Sequence, residues 1–454
     1  MKKLFFLIAY SFSQIVLNAQ GATVTSWLRN NTVKGSYYTS GNSTAVTNNI
    51  LVNCQKVEYS ATSVFVTTKG IPSYPTGPFL DGNPSQATDQ NAIFKFPLNP
   101  TVNSGTKTAT SGGNIGVFIN GVALFDYRDG VAWNNTTGAL CGGPGNPACP
   151  GGMGAAQAWN RDAILAEKAG FDCSKGHPAM GNYHHHQNPS AFKLDKTVIS
   201  NICNLYDADG LYVIDETKHS PLIGFAYDGF PIYGAYASKN VDGTGGIVRM
   251  KSSYKLNTNT TRLNGPTVGQ VVGTQTMING YFREDYLYTA TSASTPDYLD
   301  EHNGRFCKTP EYPAGIYCYF ATVDANHNSA YPYAVGPTFY GVYVNRKVTS
   351  VTETTTEYTG SIGGSSILVG GNAPKISIFP NPSSEFIAVQ IGGLVTEDLS
   401  VRLISMDGRE LAKTEINKGQ TNGYIDVRSL YNGVYFMKIS DGLNEHAQKI
   451  EIQR

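Results

Sequence analysis

The residue pattern predicts a mainly β fold: a large β-rich domain with few short helices, followed by a small C-terminal β-sandwich. Three observations carry the prediction. Gly contributes 49 and Tyr 28 of the 454 residues, a balance that suits strands joined by turns. Segments such as "SATSVFVTTKGIP", "NIGVFINGVALFDY" and "PLIGFAYDGFPIYGAY" alternate or run apolar between Gly and Pro. From residue 375 onward, short strands are separated by Pro-Asn-Pro, Asp-Gly and Asn-Gly turns.

Length allows two domains with cores of their own. Charged residues make up only 15%, against ~25% in ordinary soluble domains. Lys+Arg and Asp+Glu are both 34, so the formal net charge is zero. Such a chain has no basic field to draw nucleic acid or an anionic membrane.

Taken in order, the chain starts with a basic head, Met1-Lys2-Lys3. Residues 4–17 are mostly apolar, and Leu17-Asn18-Ala19 ends in a small residue. This predicts a secretory signal over residues 1–19, cut after Ala19. The apolar run is short of the ~20 residues a membrane span needs, and no later window is apolar enough, so no transmembrane segment is expected. Residues 20–345 are the cargo. Its best helix is "GAAQAWNRDAILAEKAG", with Gly170 placed to end it. The cargo shows no coiled coil and no long periodic repeat. Residues 346–374 turn rich in Thr, Ser and Gly and read as a flexible connector that can supply a last strand.

Residues 375–454 follow. "KISIFPNPSSEFIAVQIGG" predicts a strand, a turn and a second strand. "LSVRLISMDGREL" predicts a hairpin with Val401 and Leu403 alternating before Asp407-Gly408. "GYIDVRSLYNGVYFMKISDG" reads as another hairpin around Asn432-Gly433, and "HAQKIEIQ" as a closing edge strand.

Seven cysteines remain after the cut: Cys54, Cys141, Cys149, Cys173, Cys203, Cys307 and Cys318. In an exported chain they favour disulfides. Near neighbours suggest Cys141 with Cys149, Cys173 with Cys203, and Cys307 with Cys318. The odd count leaves at least one thiol.

The most chemical stretch is "GNYHHHQNP", residues 181–189. A short run between Gly181 and Pro189 predicts a strand. Successive side chains then alternate faces, so His184 and His186 share one face, with Tyr183 and His185 on the other. Same-face residues stand ~6.5–7 Å apart, near enough for two imidazoles to tilt toward one ion at ~2.0–2.1 Å. Such a pair is half of a metal site. His177 lies close upstream, and His219 precedes a core strand; both are candidate ligands with His184 and His186. Asp172, Asp215, Glu216 and Asp228 are candidate carboxylates, and His302 and His327 lie further on. Imidazole with carboxylate suits a transition metal ion, zinc or copper foremost. Asp228 or Glu311 is a candidate base, although "YDGFP" is also good turn chemistry. "GNYHHH" has a weak echo in "GIYCYF", residues 315–320, which sets Cys318 where His184 stands.

Two resemblances extend these readings. The ordered motifs "ISIFPNPSSEFIAV", "VRLISMDGREL", "IDVRSLYNGVYFMKIS" and "QKIEI" resemble the C-terminal sorting domain of the type IX secretion system. The resemblance implies a β-sandwich that acts as an address for the type IX secretion machinery. Its carriers cross the outer membrane and end released or anchored at the bacterial cell surface. "GHPAMGNYHHHQNP", "HSPLIGFAYDGFPIYGAY" and "LDEHNGRFCKTPEYPAGIYCYFAT" together resemble the YHYH domain family. "GIPSYPTGPF" and "NIGVFINGVALFDY" also fit, and the match is densest over 116–345. Tyr183, His184 and His186 occupy motif positions, while His185 replaces a tyrosine. His302 stands where the family pattern leads one to expect cysteine. The resemblance implies no particular reaction, so whether the chain is an enzyme stays open.

Two functional classes follow. One is an exported metal-binding protein built on the His-rich strand. The other is a non-catalytic adhesive or ligand-binding surface module with structural histidines. No Gly-x-Ser-x-Gly elbow, phosphate loop, dinucleotide fingerprint or His-Glu-x-x-His helix is present to point elsewhere.

Overall fold

The Gly-punctuated apolar segments of the cargo assemble into an eight-stranded sheet. A computed structural model describes residues 21–359 and 375–454 apart from 81–84, 144, 152–156, 199, 201, 207, 291, 293, 393–397, 407, 418–419, 421 and 441–444. The expected signal and residues 360–374 of the expected connector lie outside the described residues. What is described is mainly β, with only short helices.

We number the strands of the large sheet β1 (Asn114–Phe118), β2 (Ala123–Phe125), β3 (His177–Ala179), β4 (Asn182–His185), β5 (Leu222–Ala226), β6 (Pro231–Tyr233), β7 (Gly304–Cys307) and β8 (Ile316–Phe320). Their spatial order is β3-β4-β2-β1-β5-β6-β8-β7. That order is symmetric about its centre. The hairpin β1-β2 repeats as β5-β6, and the hairpin β3-β4 repeats as β7-β8. β2 and β4 run parallel, as do β6 and β8. At the middle, Val117 pairs with Phe225, Gly116 with Ala226 and Phe118 with Gly224. This is the pairing a local two-fold axis through Val117 and Phe225 requires.

The likeness extends to detail. "IGVFINGVALF" (115–125) aligns with "IGFAYDGFPIY" (223–233). The Tyr183 hydroxyl donates to the Asp172 carboxylate, and the Tyr317 hydroxyl to that of Asp300. Asp172 also accepts from the Ser174 and Gly176 amides, as Asp300 does from His302 and Gly304. Lys175 and Asn303 share the same left-handed backbone, with φ 66° in both. The chain therefore does contain a repeat. It escapes a periodicity search because the loops inside the two copies differ in length.

A second sheet covers one side. Its order is Lys347–Val348, Ala92–Pro97, Ser63–Thr68, Cys54–Tyr59, Thr356–Glu357. Val57, Val66, Phe94 and Phe96 share one core with Val117, Phe118, Ile223 and Phe225, each such side chain contributing ~1.5–3 kcal/mol by leaving water. Trp27 sits between the sheets, its ring 5.6 Å from Phe96 and 5.3 Å from Phe225. The strands at 347–348 and 356–357 tie the first part of the expected connector to this sheet.

Other expectations need correcting. The helix read over 154–170 is shorter, Ala163–Glu167, followed by a 3₁₀ turn Lys168–Gly170. Asn160 is committed to a strand opposite Ala132, and the Asp162 carboxylate caps the helix by accepting from Ile164 N–H at 2.8 Å. Cys141–Cys149 and Cys173–Cys203 are bonded as expected. Cys307 and Cys318 are not: both are buried thiols, like Cys54. Cys307 lies opposite Ile316, and Cys318 opposite Arg305, so the register sets the two sulfurs diagonally rather than face to face.

At the C-terminus, strands Lys375–Phe379, Phe386–Gly392 and Asn422–Asp426 form one sheet. Glu410–Ile416, Leu399–Ile404, Gly433–Ser440 and Glu445–Ile452 form the other. Ile387, Val389, Val401, Leu403, Met437 and Ile450 fill the core between them. The hairpin around Asp407-Gly408 and the closing edge strand are present. The hairpin read around Asn432-Gly433 is not, because its two arms belong to different sheets. Asn422–Asp426 pairs with Phe386–Gly392, whereas Gly433–Ser440 pairs with Leu399–Ile404.

Candidate metal centre

β3 and β4 bring three histidines together. His177 is the direct cross-strand partner of His184, and His186 follows one residue beyond the end of β4. As alternation predicts, His185 points the other way. Its Nε2 meets the Tyr74 hydroxyl at 2.7 Å, its Nδ1–H donates to the Lys175 carbonyl, and its ring lies 5.3 Å from Tyr183. Tyr183 itself is a fully buried post on that opposite side.

The three imidazoles are buried, with 6%, 1% and 4% of His177, His184 and His186 exposed. One ligand atom from each lies within 4.8 Å of the others. His184 Nδ1–H donates to the Asn182 carbonyl at 2.8 Å, and His186 Nδ1–H to the Asp126 carbonyl at 2.6 Å. A carbonyl only accepts, so both tautomers are fixed with bare lone pairs on Nε2. Those two Nε2 atoms face each other at 3.1 Å. The His184 ring stacks on Phe125 at 3.8 Å, which fixes its plane.

A carboxylate approaches from the helix Ala163–Glu167. Glu167 Oε2 stands 3.2 Å from His177 Nε2 and 3.2 Å from His186 Nε2. His184 is held well below the ordinary imidazole value, first by burial and then by His186 and His177. Lone pairs aimed at one another are repulsive unless a positive charge lies between them. Donor atoms ~2.0–2.1 Å from a tetrahedral ion stand ~3.3 Å apart, close to the spacings here. The residues fit a transition metal ion.

The other candidates are elsewhere. His219 does not join this group. Its Nδ1–H donates to the Ser220 carbonyl at 2.8 Å, and its ring sits 5.3 Å from Tyr233. It precedes β5, in the second copy of the repeat, so closeness in sequence to the histidine stretch did not become closeness in space. His302 bonds Thr338, and His327 meets the Tyr236 hydroxyl at 2.9 Å. Asp172 anchors Tyr183 and the Gly77 amide. Asp228 accepts from the Tyr319 hydroxyl and the Gly341 amide, which makes it a structural anchor. Glu311 accepts from the Tyr233 hydroxyl. Asp215 caps Thr217, and Glu216 pairs with Lys196 and His327.

Glu167 was missed. Its sequence signal is weak: a Glu in a helix-forming stretch ten residues before His177. Only the docking of that short helix against β3 and β4 reveals it.

An imidazole cluster inside a β-rich, internally repeated domain defines the class of protein. Comparison with known families makes it particular. Residues 93–331, just over half of the chain, match the family described as YHYH protein, and the protein belongs to that family. Residues 377–453 match the secretion system C-terminal sorting domain. That domain implies a partner, the type IX secretion machinery, and export to the cell surface or medium. Among solved structures, one similar chain is a DUF3244-family protein with an immunoglobulin-like β-sandwich fold from Bacteroides vulgatus. It is 13% identical over 18% of this chain and 86% of its own, with a TM-score of 0.16. No curated protein matches. No helix among the described residues is long and apolar enough to cross a membrane.

Proposed function

We propose that this is an exported metal-binding protein. The amino-terminal leader takes it to the periplasm, and the sorting domain takes it across the outer membrane. The YHYH domain holds one transition metal ion, zinc or copper, through His177, His184 and His186, with Glu167 as fourth donor. One observation carries the reading: the Nε2 lone pairs of His184 and His186 point at each other at 3.1 Å with both Nδ1–H groups already spent on carbonyls. Nitrogen ligands with one carboxylate suit zinc and copper better than calcium or magnesium, which favour oxygens alone. Carbonyl partners behind the ligands orient the rings and raise their basicity. The ion supplies Lewis acidity or, if copper, electron exchange.

The test is elemental analysis of the purified protein. About one equivalent of transition metal is expected in wild type, and none in His184→Ala/His186→Ala. Equal metal content in the two proteins overturns the proposal.

A further inference from the structure

We propose that Glu167 is the exchangeable donor of this centre, and that a small carboxylate takes its place there. The inference rests on the metal-binding reading.

The four donors are not held alike. His184 and His186 are tied to main-chain carbonyls, and His184 is stacked on Phe125. His177 and His184 belong to paired strands inside an eight-stranded sheet. Glu167 is the last residue of a five-residue helix and leads into a 3₁₀ turn. Its side chain keeps 26% exposure where those of His177 and His186 keep 7% and 3%. Its carboxylate meets only His177 and His186 among the described residues. Glu167 is therefore the one donor that can swing away without breaking another hydrogen bond or leaving the surface layer.

Charge decides what replaces it. Three neutral imidazoles leave a divalent ion fully charged, and Glu167 supplies the only negative charge in the donor set. Nearby Asp129 is committed to Arg161 at 2.5 Å. A neutral ligand in place of Glu167 would leave that charge uncompensated in a low-dielectric site, whereas an anion restores the balance. The exchange moves no proton and no electron: one carboxylate oxygen leaves the fourth position and another occupies it.

The experiment uses the full-length protein loaded with Co(II), whose visible bands report its ligands, and titrates acetate. Wild type is expected to bind Co(II) and to shift its bands at saturating acetate. Glu167→Ala and Glu167→Gln are expected to keep Co(II) and to shift at lower acetate concentration than wild type, with circular dichroism unchanged. If both variants lose Co(II) while remaining folded, Glu167 is a fixed ligand and the inference fails. It also fails if the variants keep Co(II) and acetate alters no band. If wild type takes up no Co(II), the metal-binding reading itself has failed.

Discussion

The two copies in the large sheet have the same frame and different contents. In both, a tyrosine hydroxyl rests on a buried aspartate, and a glycine leaves room for that ring. In both, the outer hairpin runs parallel to one strand of the inner hairpin. Yet His177, His184 and His186 in the first copy correspond to Arg305, Cys318 and Phe320 in the second. Arg305 donates to the Ser238, Lys239 and Pro296 carbonyls, and Cys318 and Phe320 are buried in the apolar core. The frame therefore does not by itself specify a metal site. It presents three side chains on one face, and their chemistry decides whether they coordinate an ion or pack.

Removing a histidine from one copy and the matching residue from the other separates the two. His184→Ala should cost more metal affinity than the roughly 10–100-fold typical of losing an outer-shell partner, whereas Cys318→Ala should leave metal stoichiometry unchanged. Metal titration of the two variants decides it; equal losses would mean that the copies share one site.

The next effect probes the shared frame. A Cβ at Gly176 would lie 2.4 Å from the Tyr183 hydroxyl, and one at Gly304 would lie 2.4 Å from that of Tyr317. Gly176→Ala and Gly304→Ala should each destabilise the domain by about 1–3 kcal/mol, the usual cost of overpacking. Added metal should restore melting temperature in the first variant more than in the second. Smaller still, Tyr183→Phe and Tyr317→Phe each strip a buried carboxylate of its hydroxyl donor, at about 1–3 kcal/mol. Similar losses in denaturant unfolding would support mechanical equivalence, and a harmless Tyr317→Phe would refute it.

The least effect is in pH. Burial holds His185 down to about 3, so the folded chain keeps it neutral while the unfolded chain takes a proton near ~6.5. Its contribution is complete above that value and is lost as pH falls from ~6.5 toward 3. The corresponding Tyr319 is raised well above the phenol range, chiefly by burial, and does not titrate there. Asp172 is pushed up to about 7 and Asp300 is also raised, both chiefly by burial, so they act in the same sense in both copies. In metal-free protein, hydrogen exchange corrected for intrinsic rates should show β3 and β4 losing protection below pH 6 before β7 and β8. Simultaneous loss would contradict this.

Much of the fold and three of the four proposed donors were legible beforehand. Alternation in a strand is a local property, so His184 and His186 could be assigned to one face and His185 to the other from three adjacent letters. His177 followed from the short loop that must return it. Glu167 could not be found this way, because its place depends on how a five-residue helix docks. His219 was misplaced for the related reason that the second copy lies across the sheet. The Asn432-Gly433 segment misled because good turn chemistry does not say whether the flanking strands pair with each other or with different sheets.

Local chemistry thus settled the β character of this chain, the sorting sandwich at its end and the paired imidazoles, because each depends on residues a few positions apart. Tertiary packing alone decided that the sheet is a two-fold duplicate, that a helix carboxylate lies against the histidine cluster, and that the second copy packs a core where the first gathers imidazoles. Those facts depend on contacts between segments tens of residues apart, and no spacing along the chain encodes them.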